Sequence, residues 1–155
     1  MRLILKALLL IVYNITFQRV LYLTAFLTFG IGDGVTAAYM MEVNGPYSES
    51  NPIIRGMFIM LGFEGMIIAK LWVTLMMLLA TYIVQARSKD NIYWTINGFL
   101  FAQIAAGAMG IYANLSALIG GTHPEAGDIV LLYFVFVLVL TRVGDFIDKH
   151  VVYKA

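Results

Sequence analysis

The chain alternates long apolar runs with short polar stretches, and this pattern predicts its secondary structure. A helix needs about 20 apolar residues to cross the hydrocarbon core of a bilayer. Four runs reach that length, at residues 20–43, 52–85, 92–119 and 129–146. They lack the regular polar face that a surface helix of a soluble protein presents to water. We therefore predict an all-α fold, an integral membrane four-helix bundle that forms one domain over residues 1–155.

The first 19 residues, "MRLILKALLLIVYNITFQR", have an apolar core that is too short to span a bilayer comfortably. They have two interpretations, a cleaved signal peptide or a retained helix. A signal peptide needs small residues at its cleavage site, and "YNITF" has none. We therefore expect a retained helix at residues 1–19 that lies along the membrane interface.

The composition agrees with a membrane protein and excludes several classes of function. The chain is 61% hydrophobic and 12% charged, with a mean hydropathy of +0.87, whereas soluble domains are about 25% charged. The net charge is +1 and no basic block is present, so nucleic acid is not an expected partner. The absence of cysteine excludes disulfides, thiolate metal sites and cysteine nucleophiles.

Lysine and arginine are distributed unevenly among the connections. They occur before the first run, in "ARSKD" between the second and third, and after the last run. The loops "EVNGPYSES" and "GGTHPEAGD" contain neither residue. By the positive-inside rule, we expect both termini to be cytoplasmic and these two loops to share the outer face.

Each run contains a strongly polar residue near its middle. At a rise of about 1.5 Å per residue, Asp33 lies ~15 Å and Glu64 ~18 Å below the outer end of its helix. Gln103 and Arg142 occupy similar depths in the third and fourth runs. Because charge in hydrocarbon costs about 2.5 to 3.5 kcal/mol, we expect these four side chains to converge and satisfy one another.

Lys70 adds a second cation to this picture. Its side chain either reaches the level of Asp33 or extends to the inner surface. The sequence leaves both alternatives open, and so also leaves open whether Lys70 or Arg142 neutralises Asp33. Gly62 and Gly65 flank Glu64 and favour a local kink in the second helix.

The polar residues within the runs support two interpretations. Interhelical hydrogen bonds that hold the bundle together would contribute about 0.6 kcal/mol each. Alternatively, carboxylates in a medium of low dielectric constant form a site for a proton, a cation or a small polar ligand. The candidate ligand-binding or ion-binding residues are Asp33, Thr36, Glu64, Lys70, Gln103 and Arg142.

The outer loops contain further candidates, Glu49, Asn51, His123 and Glu125. Ser50 or Asn51 is expected to cap the second helix, with Pro52 in its first turn. Imidazole and carboxylate groups in "THPEAGD" are suitable metal ligands, but the glycines and proline there equally describe a solvated turn. We therefore expect no metal site.

No motif in the chain requires a cofactor or a catalytic residue. The two histidines, His123 and His150, lie in or near loops, whereas a heme within the bundle needs histidine in the runs. The chain has no G-x-S-x-G elbow and no phosphate-binding glycine loop. Asp145 and Asp148, beside Lys149, are expected to form salt bridges at the end of the last helix.

The stretch "DGVTAAYMMEVNGPYSESNPIIRGMF", followed by "AKLWVT", resembles a family of small uncharacterised prokaryotic integral membrane proteins. That family has an Asp and a Thr in one helix, then Glu-x-Asn-Pro, then a Lys in the following helix. The matching positions are Asp33, Thr36, Glu49, Asn51, Pro52 and Lys70. The resemblance implies that these residues act as a set, and it implies no particular activity.

Three hypotheses for function follow. The first is a non-enzymatic protein whose cluster around Asp33 binds a proton, a cation or a small polar ligand, for transport. Because four helices are few for a complete transporter, this hypothesis includes a homo-oligomer. The second is a non-catalytic accessory or assembly subunit of a larger membrane complex. The third is an intramembrane lipid-modifying enzyme that uses Glu49, His123 and Glu125.

Overall fold

The computed structural model describes residues 16–151, and in this part of the chain it is helical without strands. Within residues 16–151, four helices are long and apolar enough to cross a membrane, which confirms the predicted number. They are α1 (Phe17–Asn44), α2 (Pro52–Arg87), α3 (Tyr93–Leu118) and α4 (Ala126–His150). The interfacial helix predicted at residues 1–19 falls largely on residues 1–15, outside the described part, while residues 17–19 begin α1.

Helix α1 changes its geometry midway along its length. It is α-helical over Phe17–Ala25, π-helical over Phe26–Gly32 and α-helical again over Asp33–Asn44. In a π-helix the backbone hydrogen bonds span five residues, so the turn is wider than in an α-helix. The Thr28 hydroxyl donates to the Thr24 carbonyl oxygen at 2.9 Å, a side-chain bond of the kind that bends helices. The π-helical segment ends directly before Asp33.

Helix α2 begins as predicted. The Asn51 side chain accepts hydrogen bonds from the backbone N–H groups of Ile53, at 3.0 Å, and Ile54. Pro52 occupies the first turn, where no backbone donor is needed. The helix is interrupted at Gly62, whose φ of 70° and ψ of −174° are not helical. This conformation favours glycine because a Cβ atom would be strained there, and it places the predicted kink at Gly62.

Helix α3 forms the centre of the bundle. It packs against α1 on one side and α4 on the other, while α2 packs mainly against α1. Its small residues allow these close approaches, since a Cβ atom at Gly107 would lie 2.6 Å from the Thr28 carbonyl carbon of α1. Close backbone contact of this kind is typical of small residues at helix interfaces in membranes. Helices α2 and α4 scarcely touch, and a cavity lies between them.

The start of α3 is capped by a carboxylate from another helix. Asp148 of α4 is 1% exposed. Its Oδ1 accepts from the Trp94 N–H at 2.9 Å, and its Oδ2 accepts from the Thr95 N–H and hydroxyl, both at 2.9 Å. The expected salt bridge at the end of α4 forms between Asp145 and Lys149 at 2.9 Å. Asp148 instead joins two helices, which corrects the expectation that it would end α4 by pairing locally.

Candidate functional site

Asp33 forms an ion pair with Lys70, which links the middle of α1 to α2. The two side chains are 14% and 15% exposed, respectively. The sequence left open whether Lys70 or Arg142 neutralises Asp33, and in the structure the partner is Lys70. The Lys70 ammonium also lies 5.7 Å from the centre of the Phe29 ring, within the range of a cation–π interaction.

The second carboxylate oxygen of Asp33 is bound by α3. The Asn114 side-chain amide donates to Asp33 Oδ1 at 3.1 Å and to Thr36 Oγ1 at 3.1 Å. The Thr36 hydroxyl in turn donates to the Gly32 carbonyl oxygen at 2.8 Å. We call Asp33, Thr36, Lys70 and Asn114 the Asp33 cluster. It joins three helices, and each oxygen of the central carboxylate has a partner.

The close approach of Asp33 to α3 depends on a glycine. A Cβ atom at Gly110 would lie 2.7 Å from Asp33 Cγ, so any side chain there would displace the carboxylate. Asn114 follows Gly110 by one helical turn and donates to the same carboxylate. Neither residue was predicted from the sequence as a site residue, although their spacing of one helical turn was an available signal.

Glu49 extends the site into the loop between α1 and α2. It is 9% exposed, and its Oε1 accepts the Asn51 backbone N–H at 2.7 Å. Burial raises the pKa of Glu49 above its ordinary value, and the Asn51 N–H and the charge of Lys70 partly oppose this rise. The folded state binds the Glu49 proton more tightly than the unfolded state does. The free energy of unfolding therefore falls as pH rises from the ordinary pKa of glutamate through the raised pKa of Glu49.

A cavity of about 400 Å³ brings these groups to one surface. It lies between α2 and α4, with α1 and α3 behind it, and we call it the α2–α4 cavity. Its polar lining includes Asp33, Glu49, Asn51, Lys70, Asn114 and His123. The other walls are mainly aliphatic, methionine and aromatic side chains. The cavity therefore extends from the loops before α2 and α4 to the ion pair of Asp33 and Lys70.

Glu64 and Arg142 do not reach this cavity, so their predicted convergence with Asp33 was wrong. Both residues are exposed. Glu64 precedes Lys70 by six residues, which places the two side chains about 120° apart around the helix axis. Arg142 follows the cavity-lining Tyr133 by nine residues, so it points about 180° away. Glu64 and Arg142 therefore lie at depths similar to that of Asp33, but their side chains point in other directions.

Gln103 is buried in the bundle but lies away from the cavity lining. It shares a face of α3 with Asn114 and lies about 16 Å from it along the helix. It lies beside the Tyr133 side chain. Neither of its amide atoms has a hydrogen bond within the described residues. Gln103 therefore belongs to the interior of the bundle, and the Asp33 cluster does not include it.

Three of the four outer-loop candidates line the α2–α4 cavity. They are Glu49, Asn51 and His123, whereas Glu125 is outside the lining. His123 and Glu125 are exposed, and Glu125 precedes α4 without capping it through its side chain. Within residues 16–151, no three His, Cys, Asp or Glu side chains are grouped as metal ligands would be.

Comparison of the chain with models of protein families, with curated proteins and with solved structures finds no match. The function is therefore inferred from the geometry of the Asp33 cluster and the α2–α4 cavity.

Proposed function

We propose that this chain is a multi-pass membrane protein that binds a proton, a cation or a small polar ligand at the Asp33 cluster, as one step of transport. The observation that supports this function is an ion pair of Asp33 and Lys70 that lines a cavity. A buried ion pair is expensive to desolvate, and well-packed apolar residues often serve stability equally well. An ion pair that lines a cavity can contact a ligand, so a role in binding would account for its presence.

The membrane setting is supported by the outer surfaces of the helices. In the most apolar 18-residue segment of α2, only 17% of the segment is buried within the bundle, and in that of α4 only 6% is buried. Apolar surfaces of this extent are expected to contact lipid or partner helices. From the distribution of Lys and Arg, we propose that both termini are cytoplasmic and that the cavity mouth faces outward.

The transport hypothesis is tested with Asp33→Asn in proteoliposomes on a solid-supported membrane. Rapid exchange of pH, Na⁺, K⁺ or small polar amines is expected to produce a charge movement in the wild type. Asp33→Asn should abolish it, because the variant no longer offers an ionisable carboxylate at the cluster. Asp145→Asn is the matched control, since Asp145 is exposed and pairs only with Lys149 in the described part of the chain.

Two outcomes would contradict the transport hypothesis. One is a set of wild-type signals equal to those of protein-free liposomes. The other is equal signals from the wild type and Asp33→Asn, with both proteins assembled to the same mass. The wild-type signal should persist in Asp145→Asn.

The alternative is an accessory subunit, and the exposed apolar face of α4 favours it. That helix is the least buried of the four, as expected of a surface that packs against partner helices. Mass determination of the particle purified in mild detergent separates the two roles. A homo-oligomer agrees with the transport hypothesis, whereas stoichiometric foreign subunits support the accessory role.

A further inference from the structure

The charges that line the α2–α4 cavity do not balance. Among the described residues, the lining contains two carboxylates, Asp33 and Glu49, and one ammonium group, that of Lys70. The ammonium pairs with Asp33. Of these three groups, the Glu49 carboxylate is left as the negative charge in excess.

The neighbouring arginine does not neutralise the Glu49 carboxylate by direct pairing. Arg55 donates to the main-chain oxygen of Glu49 at 3.3 Å, and its guanidinium lies 5.2 Å from the centre of the Tyr47 ring. Its charge lowers the pKa of Glu49 only as the smallest of several effects. Among the described residues, the Glu49 carboxylate therefore accepts one hydrogen bond, from Asn51. Because Glu49 lines the cavity, a cation inside the cavity can approach it.

The remaining walls do not suit a bare inorganic cation. No metal-ligand grouping occurs in the part of the chain that the structure describes. Methionine and aromatic side chains line the cavity instead, among them Met40, Met57, Phe29 and Tyr133. Polarisable walls with a few polar groups are typical of sites for organic ligands, and the volume of about 400 Å³ is within their range.

One contact in the cavity already resembles the interaction that such a ligand would make. The Phe29 ring is close enough to the Lys70 ammonium for a cation–π interaction, and Phe29 stacks on Tyr133 at 6.2 Å between ring centres. Aromatic faces attract ammonium groups and also pack against apolar carbon. The lining thus combines a carboxylate with surfaces that accept an apolar body.

We infer that the α2–α4 cavity binds an organic cation, an ammonium group on an apolar body, with the ammonium at Glu49 and the body against the methionine and aromatic walls. This inference rests on the proposed function and specifies the ligand class of the same site. The ligand reaches the cavity either from water, as a soluble amine, or from the bilayer, as an aminolipid.

The test compares three probes with the same phenylbutyl body, 4-phenylbutylammonium, 4-phenylbutanol and 5-phenylpentanoate. Each is titrated calorimetrically into the full chain in dodecylmaltoside at pH 7, with titrations into empty micelles subtracted. The wild type should bind the ammonium about tenfold more tightly than the alcohol, because a charge-assisted hydrogen bond is stronger than a neutral one. The carboxylate should bind more weakly than the alcohol.

Substitutions assign the binding to particular side chains. Glu49→Gln should reduce ammonium affinity about tenfold and leave alcohol affinity unchanged. Glu125→Gln, an exposed carboxylate outside the lining, should change neither. Val130→Trp should weaken both probes by filling the cavity, whereas Val135→Trp should not, since the two valines are equally exposed at 44% and only Val130 lines the cavity.

The pH dependence provides an independent readout. Glu49 is surrounded by Lys70, Asp33 and Arg55, with His123 also on the cavity wall. Because burial raises the pKa of Glu49, affinity for the ammonium should fall as pH decreases through that pKa. Glu49→Gln should remove this dependence, and the alcohol should not show it.

The outcomes distinguish this inference from the proposed function. Equal affinity for ammonium and alcohol, tighter binding of the carboxylate, or no binding of any probe overturns the organic-cation inference. Charge movement that depends on Asp33 would still support the proposed function in each case. Addition of phosphatidylethanolamine to the micelles identifies the source, since competition indicates an aminolipid and its absence indicates a soluble amine.

Discussion

Lys70→Met is expected to destabilise the protein by about 3 to 5 kcal/mol, because it leaves the partly buried Asp33 carboxylate without its cation. Asn114 would remain as its hydrogen-bond donor. The loss is measured as the change in unfolding free energy in mixed micelles, or as a lowered Tm in detergent. Methionine keeps the length and most of the apolar stem of lysine, so the substitution removes mainly the charge.

The double variant Asp33→Asn/Lys70→Met should recover most of that loss. Both charges are then absent, and the asparagine introduced at position 33 can still accept the hydrogen bond from Asn114. Lys149→Met is the matched control, since its ion pair with Asp145 is exposed and is worth about 0.2 to 1 kcal/mol. Equal losses in Lys70→Met and Lys149→Met, or a double variant less stable than Lys70→Met, would refute a direct interaction of Asp33 with Lys70.

Asp148→Ala is expected to cost about 2 to 3 kcal/mol of stability. It removes a buried carboxylate that accepts three hydrogen bonds at the start of α3, from Trp94 and Thr95. Hydrogen exchange of the amides in the first turn of α3 should accelerate in the same variant, because their acceptor is lost.

The neighbouring aspartate provides the control for that substitution. Asp145→Ala removes an exposed salt bridge to Lys149 and should cost less than about 1 kcal/mol. It should leave exchange in α3 unchanged. If the two alanine variants lost equal stability with unchanged exchange at Trp94 and Thr95, the contact between α3 and α4 would not be the stabilising one.

Features determined by local sequence could be predicted well. Four long apolar runs predicted the four helices, and the Asn51-Pro52 pair predicted the start of α2. The π-helical segment at Phe26–Gly32 could not be predicted in the same way, since its apolar residues suit an α-helix equally. The backbone of its Thr28 and Phe29 lies directly against Gly107 of α3, so the segment belongs to a close contact between two helices.

Site residues could be predicted where a second signal accompanied the depth of the residue along its helix. Asp33 and Lys70 were indicated by depth and by the resemblance to a membrane-protein family, and the structure pairs them. Depth alone misplaced Glu64 and Arg142, which lie on other faces of their helices. Asn114 and Asp148 were missed because their partners are more than 50 residues away in the chain.

If the Asp33 cluster faces a cavity that is open to water, a thiol introduced into the cavity lining should react with a water-soluble reagent. The chain has no cysteine, so a single introduced thiol reports without background. Ala113 lines the cavity, whereas Val135 lies on the exposed apolar face of α4 outside the lining. A charged, membrane-impermeant thiol reagent reacts with the thiolate, which forms in water and not in hydrocarbon. Applied to sealed membranes from the outer side, it should modify Ala113→Cys and leave Val135→Cys unmodified. Modification of Val135→Cys alone, or of neither variant, would show that the cavity is not open to water from the outer side.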